Sequence, residues 1–460
     1  MSLDFTAALA IGGALFVLVA LGAAALRDRP VTVAIFYLAL GVALGPFGVG
    51  AMAPRIDDPW LLRLTEVAVL GSLFASGLKV RAPWRSPGLR AAVLLAGPGL
   101  AITAALVAIG AHLALGMAWD AALLLGAVMA PTDPVLASEV ALRSPRDENA
   151  LRAALTVEAG LNDGTAFPLV ALGVLAVTSA APLDATTLAT WALDRVLWAV
   201  PAGLVIGAAI GWTTGRVAFV ARARAGRTEG IDELLAVGVV ALSYVAAEAV
   251  HAWGFLAVFA SGVALRRAEL RVVASAGLPD ERVSPRLELD ERAPADALMQ
   301  PEVSDEARRH PTVAAATVLH DTSRLAGTLE RVGEIAVVVC AGAMLARSFD
   351  PAGLALAAVL FLVARPAGVL VTLARSPFAA REKAVAGWLG IRGAGTLYYL
   401  AWAANEGALG GSAAHVADLA ITCVATSIVL HGVTATPLVR RIDRAHATTA
   451  DAGLAEPVTT

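Results

Sequence analysis

The feature that most restricts what this chain can fold into is the recurrence of apolar runs of about 20 residues, each long enough to cross a bilayer as a helix at 1.5 Å per residue. About thirteen such runs fall near residues 5–26, 31–49, 60–80, 89–115, 119–141, 151–178, 189–221, 231–250, 252–266, 328–346, 351–373, 382–405 and 414–438. With 58% hydrophobic and only 16% charged residues, and a mean hydropathy of +0.72, the chain is expected to be an all-α polytopic membrane protein. The first run, 5–26, has no basic leader, which predicts a retained helix and not a cleaved signal peptide. Cys340 and Cys423 both sit inside apolar runs with no spacing suited to a metal or a disulfide framework, so core packing is expected of them.

Charge between the runs gives an orientation. Alternate connections carry Arg27 and Arg29; Lys79, Arg81, Arg85 and Arg90; Arg143, Arg146 and Arg152; Arg216, Arg222, Arg224 and Arg227; Arg375, Arg381 and Lys383; and Arg440, Arg441 and Arg444. The intervening ones carry mainly Arg55 and Arg347. The basic set is expected in the cytoplasm, which puts the N-terminus outside and the C-terminus inside. The one long interruption, 267–327, is charged and proline-containing and reads as a solvated, partly flexible cytoplasmic loop. The expected organisation is therefore a first membrane part (1–266, nine helices), that loop (267–327), a second membrane part (328–440, four helices) and a short tail (441–460).

The two parts resemble each other. Arg63-Leu-Thr-Glu66-Val-Ala-Val69 matches Arg331-Val-Gly-Glu334-Ile-Ala-Val337 at a separation of 268, and Pro98 and Pro366 keep that separation. Leu125-Gly126, Thr132 and Leu136-Ala137 match Leu389-Gly390, Thr396 and Leu400-Ala401 at 264. These matches pair the third, fourth and fifth crossings with the tenth, eleventh and twelfth. Because the third starts outside and the tenth inside, the repeats are inverted, an arrangement that puts a transport site near the bilayer midplane.

Polar residues inside apolar runs need a reason, since a charge at the centre of a membrane helix costs roughly 2.5–3.5 kcal/mol. In Ala130-Pro131-Thr132-Asp133-Pro134 two prolines remove amide donors and predict a break, with Asp133 as N-cap of a helix resuming at Pro134. Taken alone, this stretch reads equally as a structural kink. Its counterpart, Gly390-Ile-Arg392-Gly393-Ala-Gly395-Thr396, carries three glycines and can also unwind, so two broken helices could cross at one depth. The run 151–178 holds Glu158, Asn162 and Asp163, with Ala159 four residues before Asp163 on the same face. Glu158 and Arg392 are expected to form a structural ion pair and Asp133 to lie at a helix end, which leaves Asp163 able to bind a proton or a cation. Glu66 reads either as a lining carboxylate or as a packing one, and Arg365, before Pro366, as a residue that ties down carbonyls or a carboxylate. Isolated His112, His251, His415 and His431 show no metal-site spacing.

With Thr132-Asp133-Pro134, Glu158-x-x-x-Asn162-Asp163-Gly164 and Gly390-x-Arg392-Gly393 in this order, the chain resembles the monovalent cation:proton antiporter family, in its sodium/proton exchanger branch, over roughly 5–440. That resemblance implies a homodimer with a mobile core holding two crossed, unwound helices. It implies Asp163 as ion and proton carrier, Asn162 as its partner in the signature, Thr132 as a main-chain carbonyl ligand, Asp133 at the crossing, Glu66 as an assisting carboxylate, and Glu158–Arg392 as the internal ion pair. Asn162 in place of an aspartate implies electroneutral exchange. Ala159 departs from the family's usual serine and removes a side-chain oxygen from the cation, which puts K+ beside Na+ and Li+. The implied partners are a monovalent cation, protons and lipid in the plasma membrane, with no nucleic acid. No Gly-rich Lys-Ser/Thr loop points to a nucleotide, and no cofactor is expected. A channel or cation sensor on the same scaffold is the main alternative; an intramembrane enzyme lacks a His-Glu-x-x-His helix or a Cys–His pair.

Overall fold

The computed structural model describes residues 5–26, 32–83, 85–133, 149–225, 232–277 and 309–454. Among them the regular structure is entirely helical: α1 (Phe5–Leu26), α2 (Val33–Leu44), α3 (Pro59–Leu78), α4 (Pro87–Leu115), α5 (Trp119–Met129), α6 (Ala150–Thr178) and α7 (Ala185–Ala225). There follow α8 (Asp232–Glu248), α9 (Gly254–Ala276), α10 (Pro311–Ser348), α11 (Ala352–Thr372), α12 (Ala380–Trp388), α13 (Ala394–Asn405) and α14 (Val416–Leu454). Six described helices are long and apolar enough to cross a membrane, by length and composition.

Local chemistry sets many of these ends. Proline occupies the first helical position of α3 and α10, where its missing N–H leaves no hydrogen bond unmade. Asn149 caps α6, its Oδ1 accepting from the amides of Leu151 and Arg152 at 3.0 Å each. Arg152, read from the sequence as part of a loop, is buried on the first turn of α6.

α3 packs along α9, α10 and α13, and α6 packs against α4 and α5. A run of glycines four apart, Gly203, Gly207 and Gly211, brings α7 down on the carbonyls of Trp253, which precedes α9, and of Ala257 and Ser261 within it, so close that any side chain there would collide with backbone. Both Pro98 in α4 and Pro366 in α11 lie at a widened π turn or just beyond one, at Leu95–Gly99 and Leu360–Ala364. The two turns are thus a shared irregularity of the repeat.

Two expectations change. Helices reach into the predicted 267–327 loop from both sides, since α9 runs to Ala276 and α10 starts at Pro311; residues 278–308 lie outside the described set. Polar groups in and beside that stretch face protein partners: Glu269 is buried 3.6 Å from Arg266 just before it, the Arg266 Nε–H donates to the Leu78 carbonyl at 2.7 Å, and the Thr312 hydroxyl donates to the Gly277 carbonyl at 2.6 Å. In addition, α5 ends at Met129, and the helix expected to resume at Pro134 falls on 134–148, also outside the described residues.

Candidate cation site

Two interruptions meet inside the bundle. One is Ala130–Asp133 after α5, where Pro131 brings no amide to continue the helix. The other is 389–393 between α12 and α13. They are joined by backbone: the Asp133 N–H donates to the Ile391 carbonyl at 2.8 Å, and the Ala394 N–H donates to Asp133 Oδ2 at 2.5 Å. Asp133 thus also caps the other interruption, at the positive end of α13.

The buried ion pair also differs from the expected one. Glu158 is held by Arg365, with Nη1 on Oε1 and Nη2 on Oε2 at 2.9 Å, a two-pronged contact. Arg365 Nη2 also reaches the Ala386 carbonyl at 3.3 Å. Arg392 instead donates from Nη1 to the carbonyls of Ala130 and Pro131, which the interruption frees. The reason lies in placement. Arg365 directly follows the π turn of α11, and Gly390 leaves room for its stem, since a Cβ there would lie 2.9 Å from Arg365 Cγ. Arg392 starts inside the crossing, where bare carbonyls are its nearest acceptors.

Asp163 on α6 is 3% exposed. Its main-chain carbonyl accepts the Tyr399 hydroxyl, while its Oδ1 has no hydrogen-bond partner among the described residues. Gly395 presses against this carboxylate, so that a Cβ there would sit 2.5 Å from Oδ1. Asn162 donates from Nδ2 to Thr132 Oγ1 at 2.7 Å, tying α6 to the first interruption. Asn162 Oδ1 and Thr396 Oγ1 are likewise buried without a described partner. One turn beyond Asp163, Phe167 stacks among Trp253, Phe255, Tyr398, Tyr399 and Trp402 with ring centroids 4.6–5.9 Å away. Tyr399 links this aromatic cluster to the Asp163 main chain.

The structure thus brings Asp163, Asn162, Thr132, Asp133 and Arg392 together at the crossing, with Glu158 and Arg365 alongside. Ala159 is buried on α6 and offers no oxygen. Glu66 keeps different company: its Oε1 accepts the Tyr244 hydroxyl at 2.5 Å and its Oε2 accepts Arg63 Nη1 at 2.6 Å. Gly395, Thr396 and Tyr399 escaped the sequence reading as site residues. The repeat carried a signal for one of them, because Thr396 is the counterpart of Thr132 at the separation of 264.

An all-helical bundle in which the stretch after α5 meets the break between α12 and α13 beside a buried carboxylate, its Oδ1 without a partner among the described residues, has the architecture of a secondary transporter. The sequence matches the family described as sodium/hydrogen exchanger, transmembrane, over residues 12–278 and 334–441, and the chain belongs to that family. It is 24% identical over 365 residues to the K(+)/H(+) antiporter NhaP of Alkalimonas amylolytica, covering 78% of this chain and 54% of that one. Over 112 residues it is 38% identical to an uncharacterised Na(+)/H(+) exchanger of Mycobacterium bovis, covering 24% of this chain and 20% of the other. The chain thus spans about half the length of the first relative and a fifth of the second. The fold is similar to that of the sodium proton antiporter MjNhaP1 from Methanocaldococcus jannaschii, with a TM-score of 0.65 at 17% identity over 94% of this chain and 98% of that one.

Proposed function

We propose that this chain exchanges a monovalent cation for a proton across the cell membrane, with Asp163 carrying one or the other. The observation that carries the reading is the buried Asp163 Oδ1 at the helix crossing, which has no hydrogen-bond partner among the described residues. A bare carboxylate at that depth is unfavourable by several kcal/mol, so it must hold a positive partner whenever the site is closed to water.

Charge counting at the crossing supports a single exchangeable charge. Among the described residues named at the crossing, Asp133, Glu158 and Asp163 supply three carboxylates, and Arg365 and Arg392 supply two guanidiniums, so three minus two leaves one negative charge to balance. One proton or one monovalent cation balances it, and a divalent ion would overshoot. Competition for that place couples the two fluxes without both ions being bound at once. A cation there would have Asp163 Oδ1, Asn162 Oδ1, Thr396 Oγ1 and the Thr132 carbonyl as oxygen donors, with water in the place that Ala159 leaves open. Asp133 and Arg392 hold the two interruptions together, and the Glu158–Arg365 pair braces them. Glu66 lines the approach to the site on the side of Tyr244.

Na+ is the first cation, with Li+ beside it, and electroneutral exchange follows from the single charge. K+ is the second reading, favoured by the oxygen missing at Ala159 and by the K(+)/H(+) antiporter among the relatives. The protein works as a homodimer in the plasma membrane, N-terminus outside and C-terminus in the cytoplasm, as the loop charges direct. The test is purified protein in liposomes with an imposed pH gradient and an internal pH dye, to which Na+, Li+ or K+ is added in turn. The reading requires that at least one of them collapses the gradient, and the ion that does so at the lowest concentration names the substrate. No response to any of the three contradicts it.

A further inference from the structure

The second interruption has a support that the exchange reading does not use. His431 on α14 is fully buried, and both ring nitrogens are engaged. Nε2 lies 2.9 Å from the Trp388 carbonyl, at the last residue of α12, which also accepts the Gly390 N–H at 2.9 Å. Nδ1 lies 3.1 Å from Ser427 Oγ and 2.9 Å from the Ser427 carbonyl. Ser427 Oγ in turn accepts the Arg392 N–H at 2.9 Å. The ring packs edge-on against Phe361, with centroids 4.7 Å apart, in the π turn just before Arg365.

The neutral tautomer with its proton on Nε2 satisfies the relay from Trp388 to Arg392, and leaves the Nδ1 approach to the Ser427 carbonyl as a contact without a hydrogen bond. With the proton on Nε2, His431 donates to the Trp388 carbonyl, the Ser427 hydroxyl donates to Nδ1, and the Arg392 amide donates to Ser427 Oγ. The two ends of the interruption, Trp388 and Arg392, are thereby fastened to a single turn of α14. From Arg392 the side chain continues to the carbonyls of Ala130 and Pro131 in the other interruption.

We infer that His431 is a positioning residue for the cation site: through Ser427 it fixes the backbone at Arg392, and so keeps that guanidinium on the Ala130 and Pro131 carbonyls and away from Asp163. The inference rests on the exchange reading only for its consequence, because a guanidinium released from those carbonyls becomes an internal competitor for Asp163 Oδ1. A group buried only to fill space would not lie on this relay, and its loss would lower the amount of folded protein without changing cation affinity.

The test uses His431→Phe, which keeps a ring against Phe361, together with Ser427→Ala, their double variant and His431→Gln, whose amide can still donate to the Trp388 carbonyl. Amide hydrogen exchange of the 388–394 segment in detergent is read first, since it needs no transport. We expect faster exchange there in His431→Phe and Ser427→Ala, a half-saturating cation concentration raised about two- to thirtyfold, and a maximal rate per folded protein changed by no more than about twofold. The double variant should be no worse than either single one, as members of one relay are not additive, and His431→Gln should recover part of the loss. Unchanged exchange at 388–394, or a lower rate at unchanged half-saturation, overturns the inference. A wild-type protein that moves no cation removes the exchange reading, while the hydrogen-exchange result still decides the role of His431.

Discussion

A buried guanidinium is held by the acceptors its helix turns it toward, and the two arginines here divide along that line. Arg365 meets Glu158 because the π turn of α11 rotates it inward, whereas Arg392 starts beside the Ala130 and Pro131 carbonyls, which lie beyond the end of α5. Removing Arg365 therefore strands a carboxylate in a low-dielectric interior, and Arg365→Ala is expected to cost about 3–5 kcal/mol of stability. Asp163→Asn removes a charge whose Oδ1 has no partner among the described residues, and is expected to leave stability unchanged or raised. Thermal unfolding in detergent checks both, and a second change, Glu158→Gln in the Arg365→Ala background, should recover part of the loss. Equal melting temperatures for Arg365→Ala and Asp163→Asn would contradict the pairing. The sequence could name all these residues, since each is an ionisable group in an apolar run. It could not say which arginine meets Glu158, because both lie more than two hundred positions away and the deciding turn is a backbone irregularity without a motif of its own.

At the level of elements, the two interruptions were legible for opposite reasons. Prolines forced one, and glycines permitted the other; the matching positions of Thr132 and Thr396 tied them together. What local pattern could not convey is that the interruptions cap each other, with Asp133 serving the N-terminus of α13. The extensions of α9 and α10 into the supposed loop were hidden similarly, because Arg266 pairs with Glu269 on its own helix and with the Leu78 carbonyl of α3, contacts that a charged stretch read in isolation does not reveal. The close seat of α13 on α6 gives a prediction. Gly395→Ala places a methyl group against Asp163 Oδ1, and should raise the half-saturating cation concentration on the order of tenfold while the protein still folds. Equilibrium cation binding to the purified variant checks it, and wild-type affinity would show that the carboxylate does not bind the ion from this side.

For the molecule as a whole, the count of three carboxylates against two guanidiniums turns a list of residues into a statement about net charge. If one proton replaces one monovalent cation in the same place, the moving core carries the same charge in both directions. Membrane potential then does no work on the cycle, whereas a cycle that moved one net charge would gain or lose about 2.3 kcal/mol per 100 mV. Sodium-driven proton flux in liposomes whose potential is set with potassium and valinomycin should therefore be the same at zero and at an imposed potential. A rate that follows the potential would contradict electroneutral exchange and return a second charge to the site.

Exchange by this route requires one carboxylate that holds a proton or a cation and never both. Proton release on cation binding, followed in weakly buffered solution with purified protein and a pH indicator, addresses that claim without any membrane. The wild type is predicted to release a proton for each cation bound, at a pH where Asp163 is protonated, and Asp163→Asn to release none. Cation binding to the wild type without proton release, or undiminished release from Asp163→Asn, would contradict it.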